Sequence, residues 1–279
     1  MKSLKALPVV VRIRSAAASL LAAALTVGLG LLWHQAALSS SNHANPDAPQ
    51  ASSLLADLSS QDPAVVSRAI SRLRQVNIPA AEALPHLIVA ATNSSEFVRL
   101  GAVNAIAGYG VEARDAMPVL VKALNDPDPL VREAAALALL AVGSGVKSHA
   151  QRLIPLLRDD HKTVRDAAIT ALAGFGPDSI PDLVKVLESN TPAAGAASEA
   201  LARIGAPAVA PLIEALKKGG NVADNAAKAL AAIGKPSVAP LIKLLSDPNP
   251  AIARKSEEIL IAIGPAATEG LIKTLRSRP

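Results

Sequence analysis

No cysteine occurs among the 279 residues of this chain, which excludes disulfides, thiol nucleophiles and thiolate metal sites. Aromatic side chains are almost as scarce. Trp33, Phe97, Tyr109 and Phe175 are the whole set, too few for the stacking platforms on which single-stranded nucleic acids lie. Excess charge is missing from most of the chain too. The formal net charge is +5, yet Lys2, Lys5, Arg12 and Arg14 stand in a first segment of 34 residues without a single acid, leaving 24 Lys and Arg against 23 Asp and Glu beyond it. The basic footprint that nucleic-acid binding requires is therefore absent from the bulk of the protein.

Catalytic signatures are missing as well. The five histidines, His34, His43, His86, His149 and His161, form no His-x-x-x-His or His-Glu pair, so imidazoles and carboxylates are not spaced to converge on a cation. No Gly-x-Ser-x-Gly elbow and no phosphate-binding glycine loop occurs. Asp159-Asp160-His161 is the one acid and base cluster, and it falls at a junction between repeats, where Asp is expected as a turn or cap residue. These absences predict a protein that is not an enzyme and carries no cofactor and no metal.

What the chain has is repetition. One apolar pattern recurs seven times, with starts at Ser60, Asn93, Asp126, Asp159, Glu188, Lys217 and Asp247, at periods of 33, 33, 33, 29, 29 and 30 residues. Counting each start as position zero, position nine is small: Ala69, Ala102, Ala135, Ala168, Ala197, Ala226 and Ser256. Position thirteen is aliphatic: Leu73, Ile106, Leu139, Leu172, Leu201, Leu230 and Leu260. Position sixteen holds Val76, Tyr109, Val142, Phe175, Ile204, Ile233 and Ile263, with Gly next in all repeats but the first. Self-similarity at such a period marks a solenoid.

Each repeat reads as two antiparallel helices. Asp62, Ser95, Asp128, Asn190 and Asn249 are candidate N-caps, with Pro63, Pro129 and Pro250 at the first helical position. Positions five, nine, thirteen and sixteen then share one helical face, and the following Gly predicts a left-handed stop. Pro85, Pro118, Pro181, Pro211 and Pro240 signal the start of the second helix. The third repeat has Pro155 later in that run, which predicts a shortened or bent helix.

This pattern resembles the HEAT repeats, in the short, Ala-rich form first associated with phycobilin-lyase-like proteins, over roughly residues 53–276. The resemblance implies an all-α fold, a right-handed α-solenoid of about seven helix pairs, with the second helices on the concave side. It also implies a hydrogen-bonded ladder between repeats, carried here by Asp126 and Arg132, Asp159 and Arg165, and, as a partial match, Asn93 and Arg99. Later repeats depart from it, with Ala194 and Ala223 at the Arg position, so that either the ladder ends midway or those repeats stack on apolar contact alone.

The N-terminus carries the second signal. Residues 1–14 are basic, and Ser15 to Trp33 is an uncharged run that would reach about 28 Å as a helix at 1.5 Å per residue, close to a bilayer core. Residues 15–38 are therefore expected to form a hydrophobic helix, either an uncleaved transmembrane anchor or a signal peptide cut near Ala37-Leu38-Ser39. Basic residues stay in the cytoplasm, which predicts a single-pass protein of the inner membrane with its repeats on the periplasmic side, or a secreted periplasmic protein after cleavage. Residues 39–52 read as a flexible tether and 53–279 as the solenoid, with Leu54, Leu55 and Leu58 in a short capping helix.

On the second helices, Lys122, Lys185, Lys243 and Lys273 recur at nearly equivalent places. They predict a mildly basic track for a protein partner. The function expected is a membrane-anchored, exported scaffold, and the alternatives are a lyase-like or chaperone-like factor for chromoprotein maturation and a structural subunit of a membrane complex.

Overall fold

A computed structural model describes residues 48–276 apart from residues 74, 144–146 and 190. The expected anchor helix and the first part of the tether lie outside the described residues. Among the described residues there is no strand, and no helix is long and apolar enough to cross a membrane. The chain divides into two compact units at Ala116/Met117.

The first unit holds α1 (Ala48–Leu58), α2 (Pro63–Leu73), α3 (Ala80–Ala90), α4 (Glu96–Gly108) and a 3-10 segment, Gly110–Ala116. Helix α1 packs on α2 and α3 with Leu54 and Leu58 buried, as a terminal cap must. It begins at Ala48, inside the segment read from sequence as a tether, so residues 48–52 are helical.

In the second unit the order is α5 (Met117–Ala123), α6 (Pro129–Val142), α7 (Lys147–Leu153), a 3-10 segment Ile154–Arg158, α8 (Lys162–Gly174), α9 (Ile180–Glu188), α10 (Ala193–Ile204), α11 (Val209–Lys217), α12 (Gly220–Ile233), α13 (Lys235–Leu244), α14 (Pro250–Ile263) and α15 (Pro265–Arg276). First helices α6, α8, α10, α12 and α14 stack in series, and the second helices form a parallel layer. Alanines at positions nine and twelve, such as Ala168 and Ala171, are fully buried in the first helices, which pack on one another.

The core follows the repeat. Every residue named above at positions nine and thirteen is buried, and Leu139, Leu172, Leu201 and Leu230 have no exposure at all. Each such leucine contributes about 1.5–3 kcal/mol by leaving water. At position sixteen the expectation holds for Val142 alone; the other six residues are half-buried, because the helix ends there and the side chain closes the edge of the pair. Tyr109 uses its half-buried place to donate from its hydroxyl to the Ile78 carbonyl at 3.2 Å, and burial, with Glu112 nearby, pushes its pKa up to about 12.

Helix boundaries depart from the proline signals. Pro118 and Pro181 lie in the first turn of α5 and α9, but Pro85 and Pro240 fall inside α3 and α13, each helix having begun earlier. Three second helices are preceded by 3-10 turns, at Gly110–Ala116, Gly176–Ser179 and Ala206–Ala208. The helix stop at Gly205 has φ 81° and ψ −136°, a region strained for any residue with a Cβ, where a simple left-handed cap was expected.

Candidate protein-docking face

Position zero builds a turn in the repeats that start at Ser60, Asn93, Asp126, Asp159 and Asp247, its side chain accepting from the N–H two residues on, whereas Glu188 and Lys217 end helices α9 and α11. The Asp126 carboxylate accepts from the Asp128 N–H at 3.0 Å, and Asp128 then caps α6 by accepting from the Leu130 and Val131 N–H groups at 2.9 and 3.2 Å. Asn249 caps α14 likewise, accepting from Ala251 N–H at 3.0 Å. Ser95 caps nothing with its side chain; its own N–H donates to Asn93 Oδ1 at 2.9 Å.

Arg132, in the first turn of α6, folds back onto its own junction, donating from Nη1 to the Asp126 and Pro127 carbonyls at 2.8 and 3.1 Å. Its Nε and Nη2 also reach Asp159 of the next repeat at 2.7 and 2.9 Å. One guanidinium therefore ties two junctions together, in the bidentate geometry that Arg offers a carboxylate. Both side chains are largely shielded, at 15% and 11% exposure. The guanidinium bond is the main reason that the Asp159 pKa lies below the usual carboxylate value and that of Arg132 above its own.

Arg165 donates from Nη1 to the Asp159 and Asp160 carbonyls at 2.6 and 3.0 Å, and Arg99 to the Asn93 and Ser94 carbonyls at 3.0 and 2.9 Å. His161 is exposed, with Nδ1 3.8 Å from a carboxylate already held by Arg132. Past Arg165 the polar ties continue from other positions. Lys218 pairs with Glu188 at 2.6 Å, Lys255 with Asp224 at 3.1 Å, and Ser198 donates to the Asn225 carbonyl at 2.7 Å. The later repeats thus do not rely on apolar contact alone.

The lysines behave differently from these arginines. Lys122, Lys185 and Lys243 sit in the last turns of α5, α9 and α13, all second helices, where the helix dipole favours a cation. All three are exposed. Lys185 reaches Asp182 at a loose 3.3 Å, while Lys122 and Lys243 have no carboxylate partner among the described residues. Lys273 lies on α15. Between Lys122 and Lys185 the third repeat supplies Arg152, in the last turn of α7, and Arg158, at the end of its 3-10 segment; both are exposed, neither has a carboxylate partner among the described residues, and sequence spacing singled out neither. In the fifth repeat the place goes to Glu214, held by Lys217 at 2.8 Å, and in the first to His86, whose Nδ1 is 2.8 Å from Ser59 Oγ.

No group of three or more metal-ligating side chains occurs among the described residues. The face offers cations and helix ends.

Comparisons with known proteins agree with this architecture. The family model for HEAT repeats matches residues 51–140 and 150–221, and that for the PBS lyase HEAT-like repeat matches residues 222–247. No curated protein matches the chain. Among solved structures, the karyopherin Kap121p is 18% identical, over 82% of this chain and 30% of that one, with a TM-score of 0.59. The same karyopherin bound to the SUMO protease Ulp1p gives 18% identity over 85% and 31%, with a TM-score of 0.57. The complex of CpcE and CpcF of phycocyanin lyase from Nostoc sp. PCC7120 is 24% identical over 83% and 96%, with a TM-score of 0.45. The chain spans about a third of the karyopherin's length, and at these identities the likeness is one of fold. With the HEAT-repeat model covering more than half of its residues, the chain belongs to the HEAT-repeat family.

Proposed function

We propose that this chain is a non-catalytic scaffold that holds a protein partner along its second-helix face, read from sequence as the concave one. One observation carries the proposal. Arg99, Arg132 and Arg165 are engaged by carbonyls at the junctions, whereas Lys122, Arg158 and Lys243 stand exposed on the second helices and the 3-10 segment with no partner among the described residues, and Lys185 and Lys273 lie on second helices of the same series. A row of uncommitted cations steers and registers an acidic partner. Replacing Lys122, Lys185, Lys243 and Lys273 by Glu is expected to weaken partner capture from detergent-solubilised membranes at least tenfold while the helical circular dichroism stays unchanged. Raising the salt should mimic the loss, since screening sets in beyond about 8 Å at physiological ionic strength. Reversal of Lys162, Lys228 and Arg254 on the first helices is the control. Undiminished capture by the lysine variant, with loss in the control, would move the docking face to the first helices.

In this proposal residues 15–38 anchor the protein in the inner membrane and the repeats face the periplasm, supported by the uncharged run from Ser15 to Trp33 behind four basic residues. External protease should then degrade the repeats in spheroplasts and spare them in sealed inside-out vesicles, and carbonate washing should leave the chain in the membrane. A mature N-terminus near Ser40 would replace the anchor with a cleaved signal and a secreted protein. The third alternative, a structural subunit of a membrane complex, predicts co-purification that survives high salt.

A lyase-like or chaperone-like factor for chromoprotein maturation is the second reading, favoured by the match of residues 222–247 to the PBS lyase HEAT-like repeat. A visible absorbance change when the protein is mixed with bilin and apoprotein would support it, and a flat spectrum would leave the scaffold.

A further inference from the structure

The third repeat breaks the pattern of its neighbours on the second-helix face. In the fourth and fifth repeats a 3-10 turn comes first and the α-helix runs on to the end, as in Gly176–Ser179 before α9 and Ala206–Ala208 before α11. Here the order is inverted, with α7 ending at Leu153 and Ile154–Arg158 continuing as 3-10. Pro155 is the cause, because it has no N–H to continue the α-helical ladder. A 3-10 turn is thinner and longer per residue, about 2.0 Å against 1.5 Å, so this wall of the face recedes. The result is an open groove of about 370 Å³ between this segment and α9, lined by Ile154, Pro155, Arg158, Val186, Ser189 and Ala193.

The lining is of two kinds. Ile154, Pro155, Val186 and Ala193 supply the apolar lining, with Ala193 buried, Ile154 and Val186 half-buried and Pro155 exposed. The Ser189 hydroxyl is occupied, donating to the Val186 carbonyl at 2.7 Å and lying 2.9 Å from Thr191 Oγ1. Arg158 is the charged member, exposed and without a partner among the described residues, and no carboxylate is among the lining residues. Exposed Lys185 precedes Val186 on α9. The volume is at the small end of ligand clefts, roughly 300–1,000 Å³, which suits one or two side chains and not an extended planar cofactor.

We infer that this notch takes an apolar side chain from an acidic, extended segment of the protein partner, with Arg158 receiving the neighbouring carboxylate. The inference rests on the lysine-row reading and adds to it a register point. Cations spaced along a face attract an acidic segment at many offsets; an apolar socket in the row selects one.

The test uses the full chain in detergent and two fluorescent peptides of Glu, Gly and Ser, one with a central Leu and one with Ser in its place. The Leu peptide is expected to bind about tenfold more tightly, about half or more of what burying a leucine can supply. Filling the notch with Val186→Trp should remove that advantage and leave the Leu-free peptide unchanged. On the wild-type chain, photo-leucine at the central position should cross-link to residues 154–158 and 186–193. Equal, salt-sensitive binding of both peptides overturns the notch and keeps the lysine row; no binding of either at low salt overturns both. Cross-links that avoid those residues, whether residues 1–47, a second copy of the chain or nothing at all closes the groove, also overturn it.

Discussion

Replacing Leu172 by Ala should destabilise the second unit by about 2–5 kcal/mol, the cost of a truncated core leucine whose site collapses only in part. The side chain is fully buried on α8, a helix that packs against α6 on one side and α10 on the other. Its own carbonyl accepts from the buried Ser179 hydroxyl at 2.7 Å, so the turn into α9 hangs from the same residue. In a stack of repeats each unit is stabilised by its neighbours, and the loss should therefore spread. Hydrogen exchange should show reduced protection in α6 and α10 as well as α8. Lys185→Ala, on the exposed end of α9, is the comparison and should stay within about 0.5 kcal/mol of wild type. Equal shifts of the urea midpoint by the two variants would show that position thirteen is not the core face.

That contrast was legible in the sequence because burial here obeys a simple count. Positions nine and thirteen recur without exception, and each is buried in every repeat. What the count hid lies at the ends of helices. Pro85 and Pro240 look like start signals, yet α3 and α13 begin at Ala80 and Lys235. A proline removes the hydrogen bond to the residue four earlier and its ring crowds that residue's carbonyl, and near a helix start this cost is tolerated when the buried face is favourable. Gly143 shows the same limit. It follows Val142 as the other glycines follow their position-sixteen residues, but its φ is −116°, outside the left-handed region.

The polar residues were legible only where they repeat. Arg132 and Asp159 stand out because Arg at position six faces Asp at position zero of the next repeat. The ties that succeed them, Lys218 with Glu188 and Lys255 with Asp224, use other positions in each repeat, and no period could have signalled them. Arg158 was missed for a related reason. Counted from the start of its repeat it stands at position thirty-two, away from position twenty-six, where Lys185, Lys243 and Lys273 recur and where the third repeat has Arg152. Pro155 announced the shortened helix of the third repeat, but nothing in the spacing announced the groove beside it.

Removing the guanidinium by Arg132→Met should cost about 2–3 kcal/mol at neutral pH, since it strips charge-assisted bonds from a shielded carboxylate and leaves that carboxylate without its partner. Met keeps the aliphatic stem, so the loss isolates the polar contacts to Asp159, Asp126 and Pro127. Asp159→Asn should cost less, because the amide oxygen can still accept from the His161 N–H, a bond of 3.0 Å in the native chain. The double variant should be less unstable than the sum of the two, the difference being the coupling across the repeat junction. Acid supplies the independent check. The Asp159 pKa is held below its ordinary 3.8, chiefly by the Arg132 bond, so its contribution to stability is fully present above that ordinary value and is lost as pH falls through the lowered native one. The gap between wild type and Arg132→Met should therefore be widest near neutrality and close on acidification below about pH 4, while that of Leu172→Ala, which involves no titrating group, should not. A gap that persists unchanged at low pH would mean that Arg132 acts through the Asp126 and Pro127 carbonyls of its own turn, and that the bidentate pair between repeats adds nothing measurable to the stack.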